Sequence, residues 1–340
     1  MRAAPAMAAD PDDRGGRGRL PVRLLVIVLA AQLAVAGVVI FFAVNGWPFI
    51  GGHPAHEAQA APDVPARFLP AKGDGVPTPR VDRFDAAAAL ALARHQVRAY
   101  GPRPAGSAPL KRLAADLRRR LPEGRLEPVP GHPGLRNVVG RIPGRRPAIV
   151  LGAHYDTVDT PADFVGANDG AAGTAALVGI ADALRRERRP RGAREIRFAL
   201  FDGEEAPAGA KDFLSGGLRG SRAYVAAHRG QVGNMVLLDY VGNRGLQLPR
   251  EGTSDGALWK RLRAAAGRIG TLAAFPAGRE TPIYDDHTPF LDAGIPAIDL
   301  IDWGYPWVHV REDSLDKLSA RSLDVTGETV LELLRAERSR

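Results

Sequence analysis

The chain has 340 residues, 45% apolar and 25% charged, a balance that can bury a globular core. It contains no cysteine, so disulfides and thiolate metal sites are excluded and any metal must be held by imidazole and carboxylate. The net charge is +8, but the arginines are scattered through helical and loop segments without interleaved aromatics, and no nucleic-acid partner is expected.

Residues 1–23 are rich in Arg, Ala, Gly and Pro and are expected to form a disordered basic tail. Leu24 to Val44 is apolar except at Gln32 and Gly37. At about 1.5 Å per residue it can cross a hydrocarbon core of about 30 Å, with Trp47 at the far interface. The small residues of Ala58-Gln59-Ala60 also suit a signal-cleavage site, which would release a secreted protein. The apolar run is longer than a usual signal core, so one uncleaved transmembrane anchor is the preferred reading. Arginines ahead of it keep the tail cytoplasmic and place everything after Trp47 outside. Residues 45–80, dominated by Pro, Ala and Gly, read as a linker.

A globular domain is expected over residues 81–340. Asp85, the run AAAALALARHQVRAY and Gly101 supply the cap, body and stop of a helix, and Ser107 caps a second through about Leu121. Short strands are predicted over Arg125 to Val129, Asn137 to Arg141 and Pro147 to Leu151. Helix and strand then alternate: helix Gly170 to Leu184, strand Glu195 to Phe201, helix Leu218 to His228 and strand Gly233 to Val241. Helix Asp255 to Ile269, strand Ala297 to Ile301 and helix Ala320 to Leu334 complete the chain. The alternation implies an α/β domain with a mostly parallel central sheet and helices on both faces.

Four apolar runs carry a His, Asp or Glu just past their ends. Ala148 to Leu151 leads to His154 and Asp156, Ile196 to Phe201 to Glu204-Glu205, Met235 to Leu238 to Asp239, and Ala297 to Ile301 through a loop to His309. In an open α/β sheet, ligands bind beyond the carboxyl ends of the strands, so one metal site assembled from several loops is expected. Single motifs have plainer readings: His154 as a surface turn, Asp169 in GANDG as a helix cap, the glutamate pair as a solvated loop. Two adjacent carboxylates after a buried strand, however, need a cation or proton nearby. Asp239 interrupts an apolar run, and a buried carboxylate must be paired, protonated or metal-bound.

The ordered series GAHYD, GANDG, FDGEEA, GSR, LLDYVG, DDHTPFL and GIPAIDLI, then His309 with Asp313, resembles the zinc aminopeptidases of metallopeptidase family twenty-eight. The resemblance runs from Phe84 to Leu334 and is closest to the glutaminyl-peptide cyclotransferase branch, through Asp285-Asp286-His287 and Gly220-Ser221-Arg222. By that resemblance, Asp169, Glu205 and His309 hold zinc and Glu204 is the general acid/base. His154 and Asp239 complete a second zinc site in the aminopeptidases. In the cyclases, one zinc is bound and the residue matching Asp239 is hydrogen-bonded to that matching Asp285, so Glu204, Asp239 and Asp285 form the catalytic set. The chain departs from animal cyclases in lacking tryptophans after the glutamate pair and directly before His309; Trp303 or Trp307 is expected to take their place.

The resemblance implies one zinc per chain and an enzyme acting on peptide N-termini, which converts N-terminal Gln to pyroglutamate with release of ammonia. The alternative is an aminopeptidase with two zinc ions. A lesser alternative, an inactive anchored ectodomain, would be expected to have lost ligand residues, and none is missing. For the anchor, protease added to intact cells is expected to digest the domain while the protein stays in the membrane fraction. Recovery of a soluble protein cleaved after Ala60 would show a signal peptide instead.

Overall fold

The computed structural model describes residues 64–68 and 75–340. The basic tail, the 24–44 anchor and most of the linker lie outside these residues, and among the described ones no helix is long and apolar enough to cross a membrane. Helices α1 (Ala86–Tyr100) and α2 (Ala108–Arg120) come first. Asp85 and Ser107 cap them by accepting from Ala88 N and Leu110 N. Strands β1 (Arg125–Pro128), β2 (Arg136–Ile142) and β3 (Arg145–His154) follow, then α3 (Gly173–Arg186), β4 (Arg194–Phe201), α4 (Arg219–His228) and β5 (Val232–Leu238). Helix α5 (Gly256–Ile269), short α6 (Thr288–Asp292), β6 (Ala297–Leu300) and α7 (Ala320–Arg338) complete the domain.

The strands form one sheet in the order β1-β2-β4-β3-β5-β6. Strands β4, β3, β5 and β6 pair in parallel, as the alternation with helices requires. Strands β1 and β2 instead add antiparallel at the β4 edge. No helix separates β1 from β2 or β2 from β3, so nothing there supplies a parallel crossover.

Alternate residues divide the two faces. Ile149, Leu151, Ile196, Phe198, Val236 and Ile298 join one large core with α1, α2, α3, α5 and α7. Val150, Ala199, Phe201, Met235 and Leu237 face the other way, against Tyr224 of α4 and Phe290 of α6. A sheet covered on both faces accounts for strands that read as largely apolar runs.

The register aligns the ends of the parallel strands, with His154 opposite Phe201 and Leu238 opposite Leu300. Residues just past those ends therefore meet at one edge. Of the boundaries that differ from expectation, two bear on the site. Strand β5 stops at Leu238, so Asp239 starts the following loop. Helix α3 starts at Gly173, because the backbone leaves helical geometry at Asp169 and Gly170. The domain's contacts also begin earlier than Val81: Phe68, inside the stretch read as linker, is buried among Tyr240, Ile283, Ile301 and Tyr305.

Helix α7 closes the large core and ties down the start of α1. Its buried Glu328 accepts from the backbone nitrogens of Arg83 and Phe84 and from Arg83 Nε at 3.0 Å. Glu328→Ala would strand these donors. A loss of about 2–3 kcal/mol in unfolding free energy is expected, the range for hydrogen bonds to a charged group, measurable by urea denaturation.

Candidate metal centre

The residues of the centre come from the end of β3 and from the segments that follow β3, β4, β5 and β6, all at the carboxyl edge of the sheet. His154 ends β3 and is 2% exposed. Its Nε2 lies 3.1 Å from Asp169 Oδ1 and 3.3 Å from Asp239 Oδ1. The other oxygen of Asp169 faces His309, whose Nε2 is 3.4 Å both from Asp169 Oδ2 and from Glu205 Oε1. Asp169 therefore presents one oxygen to each imidazole. The positions picked out in the sequence gather into overlapping triads: Asp169, Glu205 and His309; His154, Asp169 and Asp239; and His154, Glu204 and Glu205.

The spacing and chemistry of these atoms fit a small divalent cation. Tetrahedral ligands at bond lengths of about 2.0–2.1 Å stand about 3.3–3.4 Å apart, which is the spacing around His309. Oxygen and imidazole are the donors that suit such an ion in a protein without thiols. Asp169, Glu205 and His309 would hold it, with His154 and Asp239 available for a neighbouring position.

The loops are held by groups that are not ligands. The Asp156 carboxylate accepts from Glu204 N and Glu205 N at 3.3 and 3.2 Å, fixing the turn after β4. Asp313 accepts from Asn168 N and Asp169 N and receives the Tyr305 hydroxyl at 2.7 Å. Tyr240 donates its hydroxyl to Asp169 Oδ2 at 2.8 Å. Buried Arg103 donates to the carbonyls of Tyr155, Val165 and Gly166, joining the end of β3 to the Asp169 turn. Of the four non-glycine residues with positive φ among those described, Tyr240 (φ 44) and His309 (φ 53) belong to this centre. Such backbone persists only where its surroundings hold it.

Burial dominates the electrostatics. It raises Glu204 well above the ordinary carboxylate range, with the Glu205 charge adding to the effect. Asp239 is pushed up to about 7 by burial, with Asp285 adding to the rise against the opposing pull of His154. Burial opposes charge on His309, yet Glu205 and Asp169 raise it to about 9.

Asp285, the residue linked to Asp239 by resemblance, is buried at 3% exposure and near enough to act on it. Asp285 also stands in one cluster with Asp299 and His287. Burial and the Asp285 charge raise Asp299 well above its ordinary range. In that cluster the His287 Nε2 lies 3.2 Å from Glu251. Asp299 was not singled out in the sequence, although it interrupts the run Ile298 to Leu300 just as Asp239 interrupts its own. Phe164, edge-on to His309 at 6.2 Å, gave no such signal. Trp303 and Trp307 both pack around Tyr305 and Tyr240 in the aromatic group beside this loop.

The sequence profile of peptidase family M28 matches residues 137–334, more than half of the chain. The chain belongs to peptidase family M28. Family membership, with the glutaminyl cyclases among its relatives, marks it as an enzyme. It is 32% identical over 207 residues to aminopeptidase YwaD of Bacillus subtilis, covering 55% of this chain and 40% of that protein. It is 26% identical over 226 residues to a glutaminyl-peptide cyclotransferase of Drosophila melanogaster, covering 58% of this chain and 63% of that one. The match thus spans less than two thirds of either relative. The crystal structure of an Acidobacteriales bacterium glutaminyl cyclase superposes with a TM-score of 0.66 at 29% identity, covering 80% of this chain and 99% of that one.

Asp313 touches two backbone nitrogens of the Asp169 turn and no candidate ion. Asp313→Ala is expected to weaken divalent-cation affinity about 10–100-fold, as loss of a ligand's supporting partner does, read by competition with a chromophoric chelator.

Proposed function

We propose that the protein is a zinc-dependent glutaminyl-peptide cyclotransferase that converts N-terminal Gln of peptides to pyroglutamate and releases ammonia. The observation that carries this reading is the buried Asp285 beside Asp239. A carboxyl group crowded by a second one is a poor ligand for a further cation, which leaves Asp169, Glu205 and His309 to hold a single zinc. The near-complete overlap with a bacterial glutaminyl cyclase supports it.

Bound zinc would act as a Lewis acid toward the side-chain amide carbonyl of the substrate glutamine. The protein's own groups manage the protons. Glu204, buried beside Glu205, takes a proton from the α-amine as that nitrogen attacks the amide carbon. It returns the proton to the side-chain nitrogen, the C–N bond breaks, and ammonia departs without consumption of water. Asp239 and Asp285 lie buried beside this centre. Trp303 and Trp307, half-buried in the His309 loop, supply apolar surface for the residues that follow.

One observation favours a second reading. His154, Asp169 and Asp239 converge as a complete neighbouring ligand set, which is what a two-zinc aminopeptidase needs. There Glu204 would deprotonate the water that attacks the first peptide bond. In either reading we propose that residues 24–44 anchor the chain, with the enzyme on the extracytoplasmic side.

Incubation of the full-length protein in detergent with Gln-initiated and Leu-initiated peptides separates the two. Loss of the mass of ammonia from the Gln peptide alone is expected. Glu204→Gln should lower that rate about 10²–10⁴-fold while zinc stays bound. Release of free Leu without ammonia loss from the Gln peptide would make the protein an aminopeptidase.

A further inference from the structure

Residues 64–68, ahead of the first helix, lie against the loop that carries His309. Arg67 makes a two-pronged ion pair with Asp302, Nη1 to Oδ2 at 2.7 Å and Nη2 to Oδ1 at 2.8 Å, and Nη1 also donates to the Gly245 carbonyl at 2.9 Å. Asp302 is 1% exposed. The Arg67 guanidinium sits 4.0 Å over the Phe68 ring, and Phe68 meets Tyr305 and Trp307 edge-on at 6.1 and 5.9 Å. A cation held flat in a carboxylate fork and against an aromatic face is a role for arginine that lysine fills poorly.

The receiving surface is shaped for this segment. A Cβ at Gly245, whose φ is +65, would come within 1.9 Å of the Arg67 carbonyl oxygen, and one at Gly304 within 2.5 Å of Arg67 Nη2. Any larger residue at either position displaces Arg67. The segment is therefore fitted to the fold and does not merely rest on it.

Two routes lead from it to the metal centre. Asp302 Oδ2 accepts from Asn243 Nδ2 at 2.8 Å, and Asn243 Oδ1 accepts from Asn168 Nδ2 at 3.1 Å, next in sequence to Asp169. On the second route Tyr305, against which Phe68 packs, donates to Asp313, whose carboxylate takes the backbone nitrogens of Asn168 and Asp169. Asp302 and Tyr305 are themselves part of the loop that ends in His309.

We propose that Arg67 is a positioning residue for the metal centre, through which Val64–Phe68 holds the His309 loop and the Asp169 turn in ligating geometry. The inference rests on the metal-centre reading and is independent of the choice between cyclisation and hydrolysis. Without the guanidinium, Asp302 is a buried carboxylate that has lost its cation, an arrangement that draws in water and loosens whatever the carboxylate was holding.

The test uses the full-length protein in detergent and zinc affinity by chelator competition, with circular dichroism to establish folding. Arg67→Ala is expected to bind zinc about 10–100-fold more weakly, the range for lost supporting partners of metal ligands. Arg67→Lys should fall between it and the wild type. Guanidinium ion at millimolar concentration should restore part of the affinity of Arg67→Ala and none of that of Asp302→Ala, which lacks the carboxylate to receive it. Unchanged zinc affinity in folded Arg67→Ala would overturn the proposal, as would a loss that tracks a lowered melting temperature and does not respond to guanidinium. Where Arg67→Ala does not fold, Arg67→Lys carries the same comparison. A wild-type protein that binds no zinc would instead remove the metal-centre reading.

Discussion

Asp156, Asp169, Glu204, Glu205, Asp239, Asp285, Asp286 and Asp299 crowd one edge of the sheet, each less than a tenth exposed. Moving a single carboxylate out of water costs several kcal/mol even after the protein relaxes, and like charges at these distances add to that cost. Two devices meet it here. Imidazoles face the carboxylates directly, and backbone N–H groups point into Asp156 and Asp313. The atoms left over around Asp169, Glu205 and His309 are spaced for a cation, so an ion would complete the balance rather than decorate it.

Geometry at this edge is set by groups that never reach the ion. Arg103 is the clearest case, because a fully buried guanidinium spends its donors on backbone carbonyls from two segments. Burial lowers its pKa to about 10, still far above physiological pH, so it stays charged. It supplies positive charge and loop shape together. Asp313 and Tyr240 do the corresponding work on the acidic side of the same turn. Ligand position therefore depends on a ring of side chains as much as on the strands.

Much of this was legible in the sequence because strand burial and strand termination leave direct marks. Largely apolar runs point to the parallel strands, and carboxylates or histidines near their ends mark the crowded edge. Most of what escaped had no comparable local mark. The antiparallel addition of β1 and β2 is a matter of connection, visible only when the missing crossover helices are weighed. Asp299 did leave the same mark as Asp239, an acid inside an apolar run, and was passed over. Arg67 and Phe68 sit in a Pro- and Ala-rich stretch whose composition resembles a linker, and their fit depends on Asp302 and Tyr305, more than two hundred residues away in the chain.

The candidate ligands come from well-separated points in the chain, and their donor atoms converge only when the whole parallel sheet is in register. An unfolded chain offers no comparable site, so an ion distinguishes sharply between the folded and unfolded protein. Free ion at about a thousand times its dissociation constant would then add about 4 kcal/mol to folding stability by mass action alone. The resistance of this domain to unfolding would on that account be partly a property of its surroundings, rising and falling with the metal they supply.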